Sequence, residues 1–329
     1  MNLPKILITA PVHIQPSTEW VHSLELVSKG ENVDVLVVDD SNGNVKMPGT
    51  FKVFDYTEQE AFLGTDLYEQ FEQFHHCAAC KQLGLLYGYL RKYDYVMVID
   101  SDCIVPPNFV SEHLKQMEHI ATGWQNPLQY GPPAYILNGP EIFSRGFPYS
   151  QRSKDVLVNM GLWSHRLDLY GSDRMKLPKW DTEMPPDIET QAYSTIPLSG
   201  MNVCFRHSVI PGMLFLPNVG KLTRHDDIWG GYILQEFMRK RRDAIRYGKP
   251  VVYHDTIVVP EEDAKDEEQM LLQEDAFYAA VDNVMRSILP GTYEEMMMKF
   301  INVVTNITQE PSLKQFVPAL KFWKEALEV

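Results

Sequence analysis

Two carboxylates one residue apart, Asp100 and Asp102, follow directly on the apolar run Val96–Ile99. Aspartate oxygens are hard ligands for Mg2+ or Mn2+, and a cation held that way can grip a diphosphate. Arg145 and Arg152 bracket a Gly/Pro-shaped segment and offer two guanidinium groups suited to bidentate phosphate or carboxylate contacts. Arg224-His225-Asp226-Asp227-Ile228-Trp229-Gly230-Gly231 packs charge, an aromatic and two glycines into one string. A carboxylate there can act as a base, orient a hydroxyl or simply start a helix, and the glycine pair permits close backbone approach. His254 ends the run Val251–Tyr253. Its imidazole can complete the shell of a metal on Asp102, or sit as an ordinary satisfied histidine. Asp40 ends another apolar run, where it can accept from a nucleobase N–H or a ribose hydroxyl, or cap the turn Ser41-Asn42-Gly43. Cys77 and Cys80 lack a second pair at zinc-site spacing and read as structural, and Arg239–Arg242 reads as the basic end of a surface helix.

These groups need elements to hold them. Lys5–Thr9, Val33–Val38 and Tyr93–Ile99 read as buried strands, Phe51–Tyr56 as a further candidate, and Val251–His254 as another strand end. Leu67, Phe71, Phe74 and Ala78 recur at helical spacing within a helix expected from Asp66 to about Leu90. Pro106 and Pro107 open the next helix, and Asp226 or Asp227 caps one running to about Arg242. Strands alternating with helices predict a wound, mostly parallel α/β sheet, which binds ligands beyond the carboxyl ends of its strands. Asp40 and Asp100 are then expected on neighbouring strands. From about Thr122 to Pro217 the periodicity is weak, which predicts functional loops. Residues 1–258 are expected to form the catalytic domain and 259–329 a helical C-terminal extension.

With 329 residues, 44% of them hydrophobic, the chain can bury a large core. A net charge of −14 argues against a general nucleic-acid backbone binder. Four cysteines make no disulfide framework, so a reducing, cytoplasmic setting is expected, and no run is long enough for a membrane span.

Taken in order, the segments resemble glycosyltransferase family 75, the reversibly glycosylated polypeptides and UDP-arabinopyranose mutases. Ile99-Asp100-Ser101-Asp102-Cys103 is similar to the family's Ile-Asp-Asp-Asp-Cys, and Arg145–Arg152 to its Arg-Gly-Tyr-Pro-Phe-Ser-Leu-Arg. Gly161-Leu162-Trp163, Asp168, Thr195-Ile196-Pro197 and Gly200-Met201-Asn202 fall in the family's order. Arg224–Gly231 resembles Arg-Tyr-Asp-Asp-Met-Trp-Ala-Gly, and Tyr253-His254 resembles Trp-His. The resemblance implies a GT-A fold, a UDP-sugar substrate and Mn2+ or Mg2+ held by Asp100, Asp102 and His254. It places Asp40, Asn202 and Trp229 with Asp100 and Asp102 at the nucleotide sugar. Arg145, Arg152, Asp168, Asp226 and Asp227 are the implied catalytic set, with Arg145 the site of reversible sugar attachment. The chain departs from the family at Ser101, in the short Leu198-Ser199 link and in lacking Lys-Asp before Ala79-Cys80-Lys81.

The expected activity is pyranose–furanose interconversion of UDP-arabinose. The alternatives are a transferase that moves the sugar from a UDP-sugar to a polysaccharide, protein or modified nucleobase, and a non-catalytic assembly subunit. A homo-oligomer formed through the C-terminal helices is expected.

Overall fold

The computed structural model describes residues 3–118, 120–121, 145, 154–166, 168–176, 181–182, 195–256 and 259–329. Its strands are β1 (Ile6–Val12), β2 (Val33–Asp39), β3 (Lys52–Phe54), β4 (Tyr95–Ile99), β5 (Cys103–Ile104), β6 (Ile120–Ala121), β7 (Lys154–Arg166), β8 (Asp181–Thr182), β9 (Asn202–Arg206) and β10 (Ala244–His254). Its helices are α1 (Thr18–Val27), α2 (Tyr56–Leu63), α3 (Thr65–Phe71), α4 (Gln82–Leu90), α5 (Phe109–Met117), α6 (Gly171–Arg174), α7 (Asp226–Arg241), α8 (Pro260–Asp266), α9 (Glu268–Met285), α10 (Tyr293–Asn306), α11 (Pro311–Lys314) and α12 (Val317–Leu327).

Eight strands form one α/β sheet in the order β3-β2-β1-β4-β9-β7-β10-β5, with β6 and β8 pairing beside β7. The first four run parallel, as their β-branched runs and helical crossovers predict. Beyond β4 the sheet is mixed: β9 runs antiparallel to both β4 and β7, while β10 runs parallel to β7. The expectation of a mostly parallel sheet therefore holds only for the first half. β1 lies between β2 and β4, so Asp40 and Asp100 are not on neighbouring strands.

Both faces of the sheet are covered. Trp20 and Leu24 of α1 and Phe109 and Met117 of α5 pack on one face. The other carries α4, α7 and the C-terminal helices in a single apolar cluster. The C-terminal helices are anchored there: Trp323 Nε1 donates to the Pro211 carbonyl at 3.0 Å, and Phe322 packs on Phe71 and Phe74. Trp229 of α7 stacks on Phe277 of α9 with ring centroids 4.1 Å apart.

Three expectations need correction. The helix expected over 66–90 breaks, because His76 takes a left-handed φ of 59° and Cys77 is extended before a 3-10 turn leads into α4. β7 and β9 run through the stretch read as loop. Their interior polar residues, Asn159 and Asn202, disguise them, yet both are fully buried and hydrogen-bonded. Finally, His225 rather than an aspartate stands at the N-cap of α7, and Asp226 and Asp227 occupy its first turn, where negative charge suits the helix dipole.

Candidate functional site

A cleft of about 720 Å³ opens at the end of β4, within the range of small-molecule sites, roughly 300–1,000 Å³. Its floor comes from strand ends. Asp100 leaves β4 into a tight turn whose backbone is held on three sides. The Asp100 carbonyl accepts from Trp20 Nε1 at 3.0 Å and from the Cys103 N–H, and the Asp100 N–H donates to Met201. That turn leads into β5, which pairs with the end of β10 so that His254 stands opposite Cys103. The Asp255 N–H donates to the Asp102 carbonyl and locks the junction. The side chains of Asp100 and Asp102 are 30% and 37% accessible, while that of His254 is only 6% accessible.

His254 Nε2 lies 3.5 Å from an Asp102 oxygen, and its Nδ1 is 2.9 Å from the Arg166 carbonyl. A carbonyl only accepts, so Nδ1 carries a proton and Nε2 is the nitrogen left facing Asp102, donating to the carboxylate when protonated and able to ligate a cation when not. Burial works to lower the His254 pKa, but Asp102 outweighs it and the net shift is upward. Burial likewise works to raise the Asp102 acid, and the His254 contact lowers it overall. Donor atoms of Asp102, Cys103 and His254 fall within 4.8 Å of one another. Burial, Asp102 and Asp100 push the Cys103 thiol well up, so it stays protonated and the usable donors are carboxylate oxygen and imidazole. That set fits Mn2+ or Mg2+ better than a thiophilic ion.

Lys81 is a candidate site residue that the sequence does not single out. It is 1% exposed, and its ammonium lies 2.7 Å from Asp100 Oδ1. Burial alone would lower its pKa, but Asp100, Asp226 and Asp227 together raise it, so the ammonium is a fixed positive charge in the cleft floor. Asp226 and Asp227 reach the same place from the first turn of α7. Asp227 accepts from the Gly200 N–H at 2.6 Å and from the Ile228 N–H at 2.8 Å. Burial and the Asp226 charge raise the Asp227 acid, against the pull of Lys81. The only sequence signal for Lys81 was its place in Ala79-Cys80-Lys81, after two buried residues.

Further lining comes from 168–174 and from α8 and α9, which contribute Asp168, Tyr170, Arg174, Asp263, Glu267 and Glu274. Asp168 is thus brought into the cleft, 3.7 Å from Arg174.

Three expected nucleotide-sugar residues lie elsewhere. Trp229 is 0% exposed inside the α7–α9 contact. Asn202 is fully buried behind the floor, where it accepts from His113 at 2.9 Å and donates to the Leu162 and Pro250 carbonyls. Gly161 makes room for it: a Cβ there would stand 2.1 Å from Asn202 Nδ2. Asp40 is 3% exposed and bonded to Tyr56, His76 and His13. None of the three lines the cleft. Arg145 is an exposed turn residue and is not a lining residue, and Arg152 lies outside the described residues.

UDP-arabinopyranose mutase 2 of Arabidopsis thaliana is 24% identical to this chain over 264 residues, covering 76% of this chain and 71% of that protein. UDP-arabinopyranose mutase 1 of the same plant is 28% identical over 190 residues, 54% of this chain and 51% of its own. Among solved structures, glucosyl-3-phosphoglycerate synthase from Mycobacterium tuberculosis with phosphoglyceric acid superposes with a TM-score of 0.46 at 14% identity, covering 88% of this chain and 81% of that one. The same synthase with Mn2+, UDP and phosphoglyceric acid gives a TM-score of 0.44 at 15% identity, over 84% and 78%. A model of the family described as reversibly glycosylated polypeptide matches residues 17–328, and the chain belongs to that family.

Proposed function

We propose that the chain is a divalent-metal-dependent enzyme acting on a UDP-sugar, and that its reaction is the interconversion of UDP-arabinopyranose and UDP-arabinofuranose. The observation that carries this reading is the meeting of Asp100, Asp102 and His254 with the buried ammonium of Lys81 at one cleft floor. Two mutases among the relatives support the substrate. In this reading residues 1–258 supply the GT-A catalytic body, and 259–329 form a helical extension that completes the cleft wall. Self-association through the C-terminal helices belongs to the same reading, and Leu272 of α9 is 71% exposed. Among the described residues no helix is long and apolar enough to cross a membrane.

Pyranose and furanose forms differ in which hydroxyl oxygen closes the ring. Interconversion breaks the C1–O bond to the diphosphate, with the electron pair leaving on UDP; O4 then bonds to C1, the C1–O5 ring bond breaks, and the bond to UDP re-forms. One proton moves from O4 to O5, and neither water nor a redox partner is consumed. Asp102 and His254 would hold the cation, which supplies charge neutralisation for the departing diphosphate. Lys81 adds a fixed positive charge on the same side. Asp227, held above the ordinary carboxylate range, is placed to carry the proton. Arg145, exposed at its turn, is open to sugar attachment.

The test is incubation with UDP-arabinopyranose and Mn2+ without any acceptor, followed by separation of the nucleotide sugars. A furanose product is expected. No furanose, with UDP released only when an acceptor is added, would replace the mutase with a transferase.

A further inference from the structure

Chemically the two walls of the cleft differ. The floor carries Lys81 and the candidate cation site. The wall contributed by 168–174, Arg224, α8 and α9 carries Asp168, Asp173, Asp263, Glu267 and Glu274 against two guanidinium groups, Arg174 and Arg224. With a divalent cation held at Asp102 and His254 to offset Asp100, Asp226 and Asp227, the floor is the end that would take a diphosphate.

Most of the acids on that wall are engaged by the chain itself. Asp263 pairs with Arg174 at 2.7 Å and with Arg224. Glu267 accepts from the Gly171 N–H at 2.8 Å. Glu274 differs. Its Oε1 accepts from the Tyr278 hydroxyl at 2.8 Å and the Tyr170 hydroxyl at 3.5 Å, and among the described residues no hydrogen bond reaches its Oε2. Burial and the Glu274 charge push the Tyr170 phenol up to about 12, so it remains a donor. The result is a carboxylate fixed from one side by two aromatic rings, in a cavity wall, with acceptor capacity left over. A group of hydroxyls on a small apolar-faced ring satisfies those lone pairs, and the two tyrosine rings offer it flanking surface.

We propose that Glu274, oriented by Tyr170 and Tyr278, is the specificity-determining residue that reads the hydroxyls of the sugar ring, while the diphosphate lies at the floor. The assignment rests on the UDP-sugar reading above. It also gives α9 a direct part in substrate choice.

Calorimetric titration with UDP, and in parallel with a hydrolysis-resistant UDP-sugar phosphonate in the presence of Mn2+, tests it on wild type, Glu274→Gln and Tyr278→Phe. Both variants are expected to bind UDP as wild type does. Each should lose about tenfold of the extra affinity that the sugar confers, the size of one charge-assisted hydrogen bond. Tyr278→Phe leaves the carboxylate in place, so it also reads the orientation of Glu274. If the variants keep the wild-type advantage for the sugar, the assignment is overturned. Loss of UDP binding in both variants overturns it as well, because Glu274 then serves the fold. No UDP binding by wild type would instead overturn the UDP-sugar reading itself.

Discussion

β2 and β4 both run into a pair of acids, and each end gathers the same three kinds of donor. Asp40 lies with His13 and Cys80, and Asp102 with Cys103 and His254, each set within 4.8 Å. Their surroundings set them apart. The Asp40 carboxylate accepts from the Tyr56 hydroxyl at 3.1 Å and from the His76 N–H, and pairs with His13 at 2.8 Å. Asp39 beside it accepts from the N–H and hydroxyl of Ser41 and from the Gly43 N–H. Those lone pairs tie a turn and a neighbouring segment to the sheet. Asp100 and Asp102 keep acceptor capacity and face the cleft. A strand ending in acids becomes a candidate site when lone pairs remain after the chain's own donors are satisfied.

The largest test of this contrast is Lys81→Met. It leaves Asp100, Asp226 and Asp227 together without their buried cation, and removal of one partner from a buried ion pair costs about 3–5 kcal/mol. A large drop in the urea midpoint is expected, with loss of UDP binding. An unchanged midpoint would show that the cleft acids do not depend on this cation.

Next comes the pair Asp102→Asn and Asp40→Asn. The first should lower turnover and Mn2+ affinity by at least the roughly 10- to 100-fold that loss of an outer-shell partner costs a metal site. The second should leave turnover in place and cost about 1–3 kcal/mol of stability, as a buried donor is left without its acceptor. Denaturant melts and turnover measured on both variants decide it; swapped outcomes would break the comparison.

The smallest effect lies behind the floor. Asn159 Nδ2 donates to His113 Nδ1 at 2.8 Å, and His113 Nε2 donates to Asn202, which fixes the neutral ring. Burial lowers the His113 pKa from 6.5 to about 3, although the Asn202 contact works to raise it. Between those values the unfolded chain binds a proton that the folded chain refuses. The stability this group supplies is therefore full above 6.5 and declines as pH falls toward 3. Melting temperature should fall more steeply with acid in wild type than in His113→Gln. Parallel curves would remove His113 from the account.

Much of this arrangement was legible in the sequence. The runs of β1, β4 and Val35–Val38 of β2 are apolar and buried, as strands covered on both faces must be, whereas Tyr253 at the end of β10 is 43% exposed. Asp100, Asp102, His254, Asp226 and Asp227 were read from their positions and Asp168 from the family resemblance, and the structure brings all six to one cleft. What escaped depends on partners distant in sequence. A lysine near a helix reads as solvent-facing, and only the three acids around Lys81 explain its burial. Asn159 and Asn202 look like loop residues until His113 and the Lys249 carbonyl satisfy them. The acids of α8 and α9 look like a solvated helical face until 168–174 fold against them. The resemblance implied Trp229 at the nucleotide sugar, but the helical turn that presents Asp226 and Asp227 to the cleft points the indole into the core.

The stack of Trp229 on Phe277 therefore matters beyond its own contact. It joins the helix that carries Asp226 and Asp227 to the helix that carries Glu274, deep in a packed interior that resists compression. The two sides of the cleft then behave like the jaws of a set caliper rather than a hinged lid. In the reading proposed above, a sugar would be gauged by its span as well as by its hydroxyls, and one carbon more on the ring would have to be absorbed by the ligand.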